Sequence, residues 1–138
     1  MEESLKFNSQ VCTNIKQSQR LLELGLNPET ADMAWVCVTK EGLTQWVMTL
    51  NTPKNEPNID IPAWSLHRVM ELLPQDIHLD DYVDTYYYLT INPFKVIYVN
   101  SHRSWIYQRD EGCLYDKLIG MIEWTIRNNF FNKEYLKQ

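Results

Sequence analysis

Three runs rich in β-branched and aromatic residues, at 85–91, 95–100 and 104–109, follow one another with only Asn92-Pro93-Phe94 and Ser101-His102-Arg103 between them. Parallel neighbours need a crossover of a dozen or more residues, so connections this short commit the three runs to an antiparallel meander. Residues 34–39 and 43–50 form a second such pair, rich in Val, Trp and Thr and joined by Lys40-Glu41-Gly42, and read as a hairpin.

Helical periodicity accounts for most of what remains. Over residues 13–24, Ile15, Ser18, Leu21, Leu22 and Leu24 recur at three- and four-residue steps, and Gly25 supplies the stop. Asn27-Pro28-Glu29 reads as a fresh start, with an N-cap, a proline at the first helical position and an acid in the first turn, good for one or two turns through Met33. Pro62 is expected to open a further helix with Ala63, Leu66, Met70 and Leu73 on one stripe, ended by Pro74. The last helix is expected over 112–129, with Leu114, Leu118, Met121 and Thr125 on one side and Ile119, Ile122 and Ile126 widening the stripe. The predicted class is therefore α+β, with an antiparallel sheet made of an N-terminal hairpin plus a three-stranded meander, packed against three main helices.

All 138 residues are expected in one domain, with flexibility confined to 1–10 and to a mobile loop at 51–61, where two prolines, three asparagines and alternating charges cluster. An acidic loop should hold Asp76, Asp80, Asp81 and Asp84. The formal net charge of −5 disfavours a sequence-independent hold on nucleic acid, which needs clustered Lys and Arg. The densest basic stretch, 95–109, carries three positive charges plus His102 and runs straight into Asp110 and Glu111. Cys12, Cys37 and Cys113 are odd in number and widely spaced, with no CxxC pair, which points to reduced thiols. No signal-peptide pattern opens the chain and no apolar run approaches 18 residues, so the expected compartment is the cytoplasm and no membrane partner is expected.

Few residues suggest chemistry. His78 and Asp80 are two apart and Asp81 follows, so an extended segment would aim a nitrogen and an oxygen at one divalent metal, although no third ligand is evident. Cys113 at a helix start, with His102 nearby in sequence, has the parts of an activated nucleophile, but the acids beside it oppose a thiolate. His102-Arg103-Ser104 has the H-x-S shape that two-histidine phosphoesterases carry twice; neither His67 nor His78 supplies a second copy, and the tripeptide reads as a turn. No cofactor motif is present. The five tryptophans fall in core-like contexts, while Tyr86, Tyr88, Trp105 and Tyr107 would make a contact surface if they shared an exposed sheet face.

Cys12-Thr13 with Gln17-Ser18, then residues 21–26 (LLELGL) and 28–33 (PETADM), and later residues 61–66 (IPAWSL) with Leu72-Leu73-Pro74, resemble the two signatures of a family of short uncharacterised proteins from gut bacteria and their mobile elements and prophages. The resemblance implies an origin and brings no activity. The functional expectation is a small non-enzymatic interaction protein of a mobile element or prophage that binds another protein. The alternatives are a hydrolase or metal-dependent enzyme using His78, Asp80 and Asp81 or His102 and Cys113, and an acidic mimic of nucleic acid.

Overall fold

The computed structural model describes residues 9–50, 60–79 and 86–138. They form α1 (Ile15–Glu23), β1 (Met33–Lys40), β2 (Leu43–Leu50), β3 (Asp60–Ala63), α2 (Leu66–Leu72), β4 (Asp76–His78), β5 (Tyr86–Ile91), β6 (Val96–Val99), β7 (Trp105–Arg109) and α3 (Leu114–Arg127), with 3-10 turns at Pro28–Thr30 and Lys133–Tyr135. The fold is α+β, built on two antiparallel sheets ordered β2-β1-β3 and β4-β5-β6-β7. The expected hairpin and meander are both present, and each has gained a short strand that the sequence pattern did not announce. Of the loop expected at 51–61, residues 51–59 lie outside the described residues, as do 1–8 of the flexible start.

Local chemistry explains where the elements begin. The first helix opens at Ile15 because Asn14 caps it: the Asn14 side chain accepts from the Gln17 N–H at 2.7 Å, and the Gln17 side chain accepts from the Asn14 N–H at 3.0 Å. Its end is closed by Gly25 at φ +97°, a conformation that costs glycine little and lets the Leu26 N–H reach back to the Leu21 carbonyl. Asn27 caps a single 3-10 turn, and Met33 already belongs to β1. Pro62 does not open a helix. It lies in β3 opposite Ala34, on an edge strand where a missing N–H is tolerated, and α2 starts only after Ser65, whose hydroxyl accepts from the Arg68 N–H at 3.2 Å. The buried face of α2 is accordingly Val69 and Leu72, while Met70 of the expected stripe is 36% exposed. The two-residue turn Glu41-Gly42, with φ +54° and +78°, matches the twist of β1 and β2.

The core gathers β6, α2 and α3. Val96 and Tyr98 share one buried cluster with Leu118, Met121 and Ile122 of α3 and with Leu72, Ile77 and Phe131. Helix α3 contacts β6 and β7 on one side and α1 and α2 on the other. No described helix is long and apolar enough to cross a membrane.

A polar seam joins the two sequence signatures. The Thr13 N–H donates to the Trp64 carbonyl at 2.9 Å, and the Trp64 N–H donates to Thr13 Oγ1 at 3.0 Å. Thr13 Oγ1 also pairs with Ser18 Oγ at 2.8 Å, all of it buried. Trp64 Nε1 donates to Thr30 Oγ1 and Trp35 Nε1 donates to the Thr13 carbonyl. The Asp32 carboxylate accepts from both the backbone N–H and the hydroxyl of Ser65. Thr13, Thr30 and Asp32 are thus bonded directly to Trp64 and Ser65, and that bonding gives their buried or half-buried polar groups partners.

Candidate functional site

Strand β5 sets up the one surface that the sequence singled out. Side chains alternate across a strand, and along β5 they alternate between exposed and half-buried: Tyr86 and Tyr88 face outward, while Tyr87, Leu89 and Ile91 pack against the core. Residues paired in an antiparallel ladder share a face, so Tyr88 carries with it Val99 of β6 and Asp76 of β4, and Tyr86 carries His78. The rings of His78 and Tyr86 lie 4.6 Å apart.

A register shift between Tyr98 and Val99 decides the rest. Tyr98 pairs with Tyr107, but Val99 pairs with Trp105, so Ile106 is the extra residue of a β-bulge. Ile106 and Tyr107 both pack on the core, and Tyr107 stacks on Trp124 of α3 with centroids 4.6 Å apart and planes 6° from parallel. Trp105 is turned to the outer face, beside Val99 and across from Tyr88, and is 54% exposed. Three of the four aromatic residues expected to share a face therefore do so, and Tyr107 does not. Ile97 of β6, which pairs with Thr90 and Gln108, is only 6% exposed yet lies outside the main core cluster; it forms the apolar floor of this outer face.

Beside Tyr88 the face runs into an open groove of about 680 Å³ between α2 and the sheet, lined by His67, Met70, Glu71, Gln75, Asp76, Tyr88, Leu89 and Ile91. His67 Nε2 and Glu71 Oε1 are 2.9 Å apart on its rim, one helical turn from each other. Under the sheet, Tyr98 donates its hydroxyl to the Pro74 carbonyl at 2.7 Å. Burial pushes the Tyr98 phenol well above its ordinary value, and the nearby Asp76 carboxylate pushes it further.

The residues considered for catalysis do not converge. His78 sits in β4 against Tyr86, while Asp80 and Asp81 lie outside the described residues. Among the described residues no group of three or more His, Cys, Asp or Glu side chains is placed to hold a metal ion. His102 lies in the turn before β7 and Cys113 follows it at the start of α3, so the strand, about 13 Å from end to end at roughly 3.3 Å per residue, runs between them. The H-x-S tripeptide is a turn: Asn100 Oδ1 accepts from the N–H groups of His102 and Ser104, and Arg103 takes φ +64°.

Cys113 occupies the N-cap position of α3 with neighbours that the sequence did not reveal. Gln17 Nε2 donates to Asp116 Oδ1 at 2.8 Å and to Cys113 Sγ at 3.6 Å. The hydrogen bond from Gln17 holds the Asp116 carboxyl below its usual range, partly offset by burial and assisted by Cys113. The Gln17 amide is no base and fastens α1 to α3, while the Asp116 carboxylate beside Cys113 accepts a hydrogen bond from the thiol and sets a negative charge next to it, which opposes a thiolate. No family model matches the chain, and neither a curated protein nor a solved structure matches it significantly.

Proposed function

We propose that the chain is a non-enzymatic binding module, a cytoplasmic accessory protein of a mobile element or prophage, that engages another protein through the outer face of its four-stranded sheet. One observation carries this reading: Tyr86, Tyr88 and Trp105, at 43%, 52% and 54% exposure, stand on a single face of a sheet whose other face is locked to α3. Aromatic side chains offer large contact area at small entropic cost and retain a polar tip, and they dominate the energetics of protein interfaces. A backbone fixed by core packing presents them without a further ordering cost on binding.

The test is site-specific photo-cross-linking in the native host. A photoreactive residue in place of Tyr88 or Trp105 is expected to trap one discrete protein, and the same residue in place of the exposed Lys133 is not. Capture by the unlabelled protein should be lost in a Tyr88→Ala/Trp105→Ala double variant whose melting temperature is unchanged. Identical adducts from all three positions, or capture that survives the double variant, would remove the proposal.

A further inference from the structure

Strand β2 is an edge strand of unusual character. It ends the sheet order β2-β1-β3, and all eight of its residues are exposed. Exposed edges are ordinarily blunted by lysine, proline, a bulge or an inward-pointing charge, because their free N–H and C=O groups are a template for another strand. Residues 43–50 read Leu-Thr-Gln-Trp-Val-Met-Thr-Leu, with no charge and no proline, and their register with β1 is unbroken from Leu43 to Leu50. Leu43, Trp46, Val47, Met48 and Leu50 are 65%, 41%, 38%, 44% and 74% exposed. Within residues 43–50 there is no lysine, proline, bulge or inward-pointing charge to keep this edge solitary, and among the described residues no strand pairs with it on its open side.

We infer that β2 pairs antiparallel with β2 of a second copy of this chain, joining the two three-stranded sheets into one of six strands across a two-fold axis. The strand's own pattern favours a second copy. A two-fold perpendicular to the sheet keeps each face on its own side, so only same-face residues can be paired, and β2 meets this condition about Val47. The turn Glu41-Gly42 is closed by the Lys40–Leu43 pair, whose backbone groups point at each other across the hairpin. Alternation then turns the N–H and C=O groups of Thr44, Trp46, Met48 and Leu50 to the open side. Centred on Val47, the dimer places Trp46 against Met48 and Thr44 against Leu50 as hydrogen-bonded pairs, with Gln45 against Thr49 and Val47 against its own symmetry mate. The sulfur of Met48 meets an indole, the valines meet where side chains come closest, and no like charges are opposed. A charged partner strand would find no complementary charge on β2, whereas the strand's own copy needs none.

The decisive experiment uses the full chain. Sedimentation equilibrium over a concentration series is expected to show a dimer, and Val47→Lys, which sets two ammonium groups beside each other on the two-fold, is expected to return it to monomer with the fold retained by circular dichroism. In a Cys37→Ser/Cys113→Ser background, Val47→Cys should cross-link between copies under mild oxidation, because a non-hydrogen-bonded pair brings Cα atoms to about 4.5 Å, within disulfide reach. Thr49→Cys should cross-link far more slowly, since its opposite number is Gln45. A chain that stays monomeric at every concentration overturns the proposal. So does a dimer that Val47→Lys leaves intact, or one in which Thr49→Cys cross-links as fast as Val47→Cys. None of these outcomes bears on the Tyr88 and Trp105 face, which belongs to the other sheet.

Discussion

Strands β6 and β2 are written in nearly the same alphabet and live in opposite environments. Val-Ile-Tyr-Val and Leu-Thr-Gln-Trp-Val-Met-Thr-Leu are both uncharged and rich in β-forming residues. Val96, Ile97 and Tyr98 are no more than 6% exposed, while no residue of β2 is buried. The difference is one of position: β6 has β5 and β7 on its two edges and α3 over one face, whereas among the described strands β2 pairs with β1 alone. Apolar content fixes what a strand can contribute, and neighbours fix what it does contribute, at roughly 25 cal/mol for each Å² of apolar surface removed from water. The buried half of the molecule is therefore expected to carry the stability, and the hairpin is expected to carry little of it.

The largest effect expected from that contrast is at Trp64, which is fully buried beside the Thr13 seam. Trp64→Ala removes an aromatic side chain from the core and the hydrogen bond that the Thr30 hydroxyl accepts, leaving the one it donates to the Asn27 carbonyl, and it should destabilise the fold by about 3–5 kcal/mol, read from the denaturation midpoint at constant slope. A loss under about 1 kcal/mol would mean that the seam is not where the fold is held.

A smaller effect should appear in alkali. Burial and neighbouring negative groups push the Tyr115 phenol up to about 12, and Tyr98 is raised as well, from an ordinary value of 10.0. A group whose folded value lies above its unfolded value contributes stability that is fully present below the unfolded value, here pH 10, and is lost as pH climbs through the folded one. The melting temperature should accordingly fall as pH passes from 10 toward 12, and the fall should be shallower in a Tyr98→Phe/Tyr115→Phe variant normalised to its own value at pH 8. Equal slopes in the two proteins would show that these phenols are solvated, and would weaken the claim that the region around β6 and α3 is the dry one.

How much of this could be read from the sequence follows the same contrast. Helix α3 was legible because Leu118, Met121, Ile122 and Thr125 fall on one stripe and all are buried, and the meander was legible because its turns permit nothing else. Pro62 misled because a proline followed by an apolar stripe has the form of a helix start. What decides the matter is the pairing of β3 with Ala34, which is a long-range fact. Strand β4 was invisible for the same reason: Asp-Ile-His has a single apolar residue, and only its pairing with β5 makes it a strand. The outer aromatic face was partly legible, since Tyr86 and Tyr88 are two apart. The bulge that sends Trp105 out and Tyr107 in has no local signature, because one extra residue in β7 changes the face without changing the composition.

The smallest expected effect is the sharpest probe of the comparison, because it applies one kind of substitution to both strands. Ile97→Thr puts a hydroxyl into a position that is 6% exposed, with the loss of buried apolar surface and the desolvation of a polar group, and should cost about 1–3 kcal/mol. Leu43→Thr falls at the turn end of β2, where the side chain is 65% exposed and lies beyond the residues that meet their counterparts in a dimer centred on Val47. It should change stability by no more than about 0.5 kcal/mol, at any protein concentration. Urea midpoints of the two variants measured side by side give the contrast directly. If Leu43→Thr proves as costly as Ile97→Thr, then β2 is covered in solution along its whole length, both strands are interior strands, and a pairing confined to the Val47-centred edge is too small to account for the burial.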